Sequence, residues 1–133
     1  MIKYIMNDQH KGIIFSQKKD VYHNLSYTLV DNLCINYLTT YRGYIKAIRK
    51  LFKINRGIPI VLSESLILFP IKSVIDYDNV WINYVAIKAV QFKDSTLSIR
   101  FYDDTTLQVK YSKHQYTVTK KRIEVILKYK RTL

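Results

Sequence analysis

The chain has 133 residues, 48% hydrophobic and 24% charged, with three Gly, two Pro and a single Cys. That length buries about two thirds of the unfolded surface in one core, and the composition excludes collagen-like repeats, long disorder and a disulfide framework. With 22 Lys and Arg against 10 Asp and Glu, the formal charge is +12, a field that attracts polyanions, nucleic acid foremost.

Residues 1–133 read as one domain. A lone Cys34 and the lack of a charged start followed by an apolar run predict a cytoplasmic protein without an export signal. The greasiest window, "IPIVLSESLILFP", is interrupted by polar residues and proline and falls short of the ~20 residues that cross a bilayer. No membrane partner is expected.

The first third alternates short apolar runs with turn residues at Asp8–Gly12 and Gln17–Asp20, which predicts hairpin-connected strands through "VYHNLSYTLV". The spacing changes in "TTYRGYIKAIRKLFKINRGIPI". At 100° per residue Arg42, Lys46, Arg49, Lys50 and Lys53 share one arc, and Tyr41, Tyr44, Ile45, Ile48, Leu51 and Phe52 the opposite one. This predicts an amphipathic helix, capped by Thr39 or Thr40 and ended by Gly57 and Pro59. Gly43, in its first turn, weakens it by about 1 kcal/mol.

Strands follow in "IPIVL" and "LILFP", joined by "SES", then a loop at 71–79 and one bent strand or two in "VWINYVAIKAVQF". "TLSIRFY" and "TLQVKY" form a hairpin with one wet face. The tail, "TVTKKRIEVILKYKRTL", is a helix capped by Thr117 or Thr119, with Ile123, Ile126, Leu127 and the stems of Tyr129 or Lys130 facing the sheet. The predicted class is α+β: an antiparallel sheet, a central basic helix and a C-terminal helix.

Reacting groups are sparse, and no enzyme is expected. Cys34 in "NLCINYL" reads as a small buried hydrophobe. The histidines His10, His23 and His114 lack ligand spacing, so neither metal nor cofactor is expected. Asp76 with Asp78 and Asp103 with Asp104 fall in turns, where aspartate bonds its own backbone. Charge is organised differently. No acidic residue occurs from Asn32 to Ser63, and eight basic residues from Lys110 onward face only Glu124. A helix face of five cations forgoes the acidic partners that normally stabilise it, and a line of phosphates would compensate. The candidate DNA contacts are Arg42, Lys46, Arg49, Lys50, Lys53 and Arg56, with Lys120, Lys121 and Arg122 as a second patch.

From Cys34 to Trp81 the chain resembles the ComK family of competence transcription factors of Gram-positive bacteria. The matching residues are Cys34, Tyr37, the "Y-x-G" of Tyr41 and Gly43, Pro59-Ile60, "LILFP" ending at Pro70, and Trp81 with Ile82; Pro70 to Trp81 is eleven residues and Cys34 to Tyr41 is seven. Tyr44 replaces the basic residue that follows the family's "Y-x-G". The stretch from Gly43 to Pro59 is about two residues shorter than the family's, Asn79-Val80 stands where a cysteine tends to precede the tryptophan, and the chain reads as a short member. The resemblance implies an activator that recognises paired AT-rich boxes, largely from the minor groove. It also implies dimers that assemble into tetramers on double-stranded DNA at the nucleoid, with an adaptor protein of the Clp protease system as a further partner. Other readings of the same charge are a single-strand or RNA-binding module, served by twelve tyrosines, and a non-activating interaction protein that pairs with a longer relative.

Overall fold

In the computed structural model, which describes residues 1–133, the N-terminal alternation builds an antiparallel meander of β1 (Tyr4–Asp8), β2 (Lys11–Phe15) and β3 (Lys19–Tyr22). Gln9 and His10 turn the first hairpin with φ of 50° and 61°, the handedness a two-residue turn needs. Beyond Tyr22 the expected strand is replaced by helix α1 (Ser26–Asn36), with Leu29, Val30 and Cys34 buried. Strand-favouring Tyr27, Thr28 and Val30 disguise its helical spacing. Its cap also comes from elsewhere: Leu25 at the N-cap makes no side-chain bond, and Asn7 Oδ1 on β1 accepts the Ser26 N–H at 2.7 Å.

Helix α2 (Tyr41–Phe52) follows a short turn. Thr40 is the cap, its Oγ1 accepting the Gly43 N–H at 2.9 Å. A Cβ at position 43 would approach that hydroxyl to 3.0 Å, so the glycine leaves the cap room. The helix stops before the predicted Gly57: Lys53, at φ 59°, is the left-handed cap residue and its N–H returns to the Arg49 carbonyl. Tyr41, Tyr44, Ile45 and Ile48 are buried as expected, whereas Leu51, at the margin of the apolar arc in the last turn, is 53% exposed.

Strands β4 (Ile60–Ser63), β5 (Leu66–Pro70) and β6 (Trp81–Asn83) complete a six-stranded antiparallel sheet in the order β3-β2-β1-β6-β5-β4, Ile5 pairing with Trp81 where the halves meet. A 3₁₀ turn at Tyr84–Ala86 then separates β6 from β7 (Ile87–Lys93), which pairs with β8 (Thr96–Phe101), itself paired with β9 (Thr106–Lys110). Two sheets therefore stand where one was predicted. Asn83 makes the break: fully buried, it accepts the N–H of Ile67 at 3.0 Å and of Val85 at 3.3 Å, and donates to the carbonyls of Ile2 at 2.8 Å and Ser65 at 3.1 Å.

Helix α3 (Lys113–Arg131) begins earlier than Thr117 or Thr119. Ser112 and Gln115 form a capping box, each side chain accepting the other's N–H at 3.0 and 2.9 Å. Thr119 is buried instead, 2.6 Å from the Tyr111 hydroxyl. Ile123 and Ile126 are buried as predicted and Leu127 is half-buried.

Both helices are fastened to the edge strand β4 at one residue. Tyr44 Oη accepts the Val61 N–H at 2.8 Å, and Lys130 Nζ donates to the Val61 carbonyl at 2.5 Å while lying 5.8 Å from the centre of the Tyr44 ring. An edge strand with free backbone groups invites pairing with another chain. Here that stretch is occupied.

Tyr44→Phe keeps the ring but leaves the buried Val61 N–H unpaired, and it lowers unfolding free energy by about 1–3 kcal/mol. Ser112→Ala costs about 1 kcal/mol through the lost cap. Both are read as a lower urea midpoint at unchanged slope.

Candidate nucleic-acid interface

With Tyr41, Tyr44, Ile45 and Ile48 turned to the core, the opposite arc of α2 faces solvent. Arg42, Lys46, Arg49 and Lys50 are exposed on it, Lys53 continues it at the cap, and exposed Arg56 follows in the connection to β4. Arg49 and Lys50 in the last turn suit the helix dipole. The ion pairs of the molecule are Lys3–Asp103 at 2.9 Å, Lys18–Asp20 at 3.8 Å, Lys88–Asp104 at 3.5 Å and Arg131–Glu64 at 3.5 Å. None of the nine candidate residues takes part in them. Their charge is unneutralised within the chain.

Part of this surface is concave. A groove of about 760 Å³ runs between α2 and α3, and Arg49, Arg56, Lys72, His114 and Arg122 line it with no Asp or Glu among them. Tyr41, Ile45, Ile58, Pro70 and Tyr111 supply apolar lining. Burial, the largest cause, pushes the Tyr41 phenol up to about 12, so it adds no negative charge at neutral pH. Arg122 is half-buried, and its Nη1 donates to the Arg56 carbonyl at 2.6 Å. The groove thus brings Arg49 and Arg56 of the first predicted patch together with Arg122 of the second. It does not gather the others: Arg42, Lys46, Lys50 and Lys53 are not part of its lining, and Lys120 and Lys121 are exposed on α3 outside it.

Sequence reasoning missed Lys72 and His114. Lys72 lies in the loop after β5, where buried Asn79 Oδ1 accepts the N–H groups of Ile71 and Lys72, each at 3.0 Å. That loop brings it to the groove wall, and no local pattern announces it. His114 belongs to the first turn of α3, which a helix beginning at Thr117 or Thr119 would exclude. Guanidinium forks and an ammonium converging on an acid-free groove are suited to phosphate oxygens.

The remaining candidates have structural places. Cys34, Phe69, Pro70 and Trp81 are buried. Burial, with a smaller contribution from the charge of Asp31, pushes the Cys34 thiol up to about 11, away from nucleophilic reactivity. Asp76 Oδ1 accepts the Asp78 N–H at 2.8 Å and Asp103 Oδ1 the Thr105 N–H at 3.0 Å, as turn aspartates do. Tyr41, Tyr44 and Tyr111 are buried, while exposed Tyr22, Tyr37, Tyr77, Tyr102 and Tyr129 sit on separate elements and form no shared stacking platform. No helix is long and apolar enough to cross a membrane.

Within this α+β frame the candidate cations of α2 lie exposed on one face, and Arg49 and Arg56 meet Arg122 of α3 in one groove. The chain belongs to the ComK family: the family model described as ComK protein matches residues 2–130 of the 133. This is a family of competence transcription factors, and the match runs from the residue before Lys3 almost to the end of α3. No curated protein and no solved structure matches the chain.

Cys34 will resist a thiol-specific colorimetric reagent in the native state at about pH 8 and release one thiol equivalent per chain on denaturation. Rapid native labelling would show an exposed, reactive thiol.

Proposed function

We propose that residues 1–133 act as one sequence-specific DNA-binding unit, a competence-type transcriptional activator working on the nucleoid. The observation that carries this reading is the acid-free groove in which Arg49, Arg56, Lys72 and Arg122 converge beside the unpaired cations of α2. Family membership supplies the biological setting.

The physical work divides in two. Arg42, Lys46, Lys50 and Lys53 along α2, with Lys120 and Lys121 on α3, hold phosphates and release condensed counterions. Five or six such contacts give a log–log salt slope of about −5. Arg49, Arg56 and Arg122 sit in the more confined setting, where guanidinium groups recognise shape. An A-tract minor groove is narrow and strongly negative and draws arginine in, which supports recognition of AT-rich boxes. Paired boxes call for paired protein, as a dimer or a tetramer with two-fold symmetry. The tyrosines are mostly packed inside or scattered, which weighs against a single-strand stacking module.

A salt titration on two duplexes of equal length, one with spaced AT boxes and one GC-rich, tests the reading. Tighter binding to the AT duplex, steeper with the second box, is expected. Arg49→Ala with Lys50→Ala weakens duplex binding about tenfold or more, through one lost groove contact and one lost phosphate contact, and shifts stability by less than about 1 kcal/mol, as exposed positions do. Equal and weak binding to both duplexes, or unchanged affinity in the double variant, rejects it.

A further inference from the structure

The three-stranded sheet turns one face to solvent, and neither the core nor the groove uses it. Cross-strand register puts Gln91, Ser98 and Gln108 in its central row, Lys93 and Lys110 on either side of Thr96 in one flanking row, and Arg100 in the other. All but half-buried Ser98 and Thr96 are exposed, and Lys93, Arg100 and Lys110 take part in no ion pair. Of the carboxylates in the turns at its ends, Asp103 and Asp104 are held by Lys3 and Lys88, which leaves Asp94, next to Lys93. A wet sheet face is expected to be polar, and it gains stability where opposite charges stand across from one another. This face carries three cations and no carboxylate.

It also looks away from α2. Neighbouring residues on a strand point to opposite sides of a sheet. On β1, Ile5 pairs with Trp81, whose ring meets Tyr41 of α2 edge-on at 5.9 Å, whereas the ring of adjacent Tyr4 stacks on Phe101 of β8 at 5.7 Å. α2 and the small sheet therefore cover opposite faces of the large one. In β8 the alternation repeats, with buried Phe101 pointing inward and exposed Arg100 outward. Packed sheets stand about 10 Å apart and a helix is about 10 Å across, so a straight duplex lying on the cations of α2 does not reach Arg100. We propose that the outer face of the small sheet binds the backbone of a second duplex, so that one chain bridges two duplexes. This rests on the duplex-binding reading of α2 and the groove given above. Lys93, Arg100 and Lys110 hold phosphates, and the side-chain amides of Gln91 and Gln108 donate to phosphate oxygens between them.

The test uses the full chain with one AT-box duplex fixed on beads and a second, fluorescently labelled duplex in solution. Capture of the label is measured beside one-duplex affinity by anisotropy. Wild type captures the labelled duplex. The triple variant Lys93→Gln, Arg100→Gln, Lys110→Gln loses about tenfold or more in capture through its missing phosphate contacts, while its one-duplex affinity changes by less than about threefold because α2 and the groove are intact. Its urea midpoint stays at the wild-type value, as exposed positions predict. Lys93→Arg with Lys110→Arg keeps the charge and keeps capture. Undiminished capture by the triple variant overturns the proposal and assigns bridging to chains joined through protein. A one-duplex affinity that falls in step with capture also overturns it, since both surfaces would then serve the same duplex. Capture lost together with self-association in sedimentation overturns it as well and assigns the face to a second copy. A wild type that binds no duplex removes the underlying reading, whereas a wild type that binds one duplex and captures no second removes the bridge alone.

Discussion

The hydroxyl of Tyr44 accepting the Val61 N–H fixes how α2 sits, and the distribution of charge follows from it. At the start of the helix the Tyr41 N–H donates to Asp31 Oδ1 at 2.8 Å and the Tyr41 ring meets Trp81 edge-on at 5.9 Å between centroids. Pinned at these places, α2 cannot roll without pressing lysines into the core, where an unpaired buried charge costs far more than any rearranged packing could offset. Tyr44, a buried residue in an otherwise basic stretch, thus orients five cations it never touches. Because Lys130 of α3 bonds the same Val61 residue, the two helices share an anchor. That shared anchor helps set Arg49 and Arg122 on the two sides of one groove.

The scarce acidic residues are placed to serve this arrangement. Asp31 receives the start of α2, Asp76 and Asp103 build turns, and Glu64 meets Arg131 at the far end of α3. None lines the groove. A chain of +12 repels itself, and scattering its carboxylates among its cations would lower that repulsion. Using them instead for caps, turns and remote pairs keeps one surface uniformly positive. The fold tolerates this because its fully buried residues, among them Trp81, Phe69, Phe101 and Ile5, do not depend on surface ion pairs, which are individually weak.

Helix α2 is legible in the sequence because every signal for it is local: a 3.6-residue period, a threonine cap and an acid-free run. The hairpins of both sheets are legible for the same reason. What escapes depends on partners distant in the chain. α1 is capped by Asn7, nineteen residues away, so its start reads as strand. The break into two sheets rests on Asn83 bonding Ile2 and Ser65, which no window of sequence contains. The start of α3 is an exception, since Ser112 and Gln115 carry the capping-box spacing, but "TLQVKY" just before them reads so strongly as strand that the signal is easily passed over. For the site, the cations of α2 stand out in the sequence, whereas Lys72 and His114 join them only after the loop and α3 fold against the helix.

Convergence changes what the charge can do. Exposed lysines such as Lys120 and Lys121 are mobile and strongly hydrated, so they attract any polyanion and discriminate little. Arg122 differs: half-buried, with one guanidinium nitrogen held by the Arg56 carbonyl, it loses less freedom when it meets a ligand, and its remaining donors point from a fixed base. Preorganised donors convert attraction into preference, because a ligand that fits them is favoured over one that merely carries charge. On the duplex-binding reading, the diffuse field gathers ligands over α2, and the narrower groove, built by pairing α2 with α3, is where they are told apart.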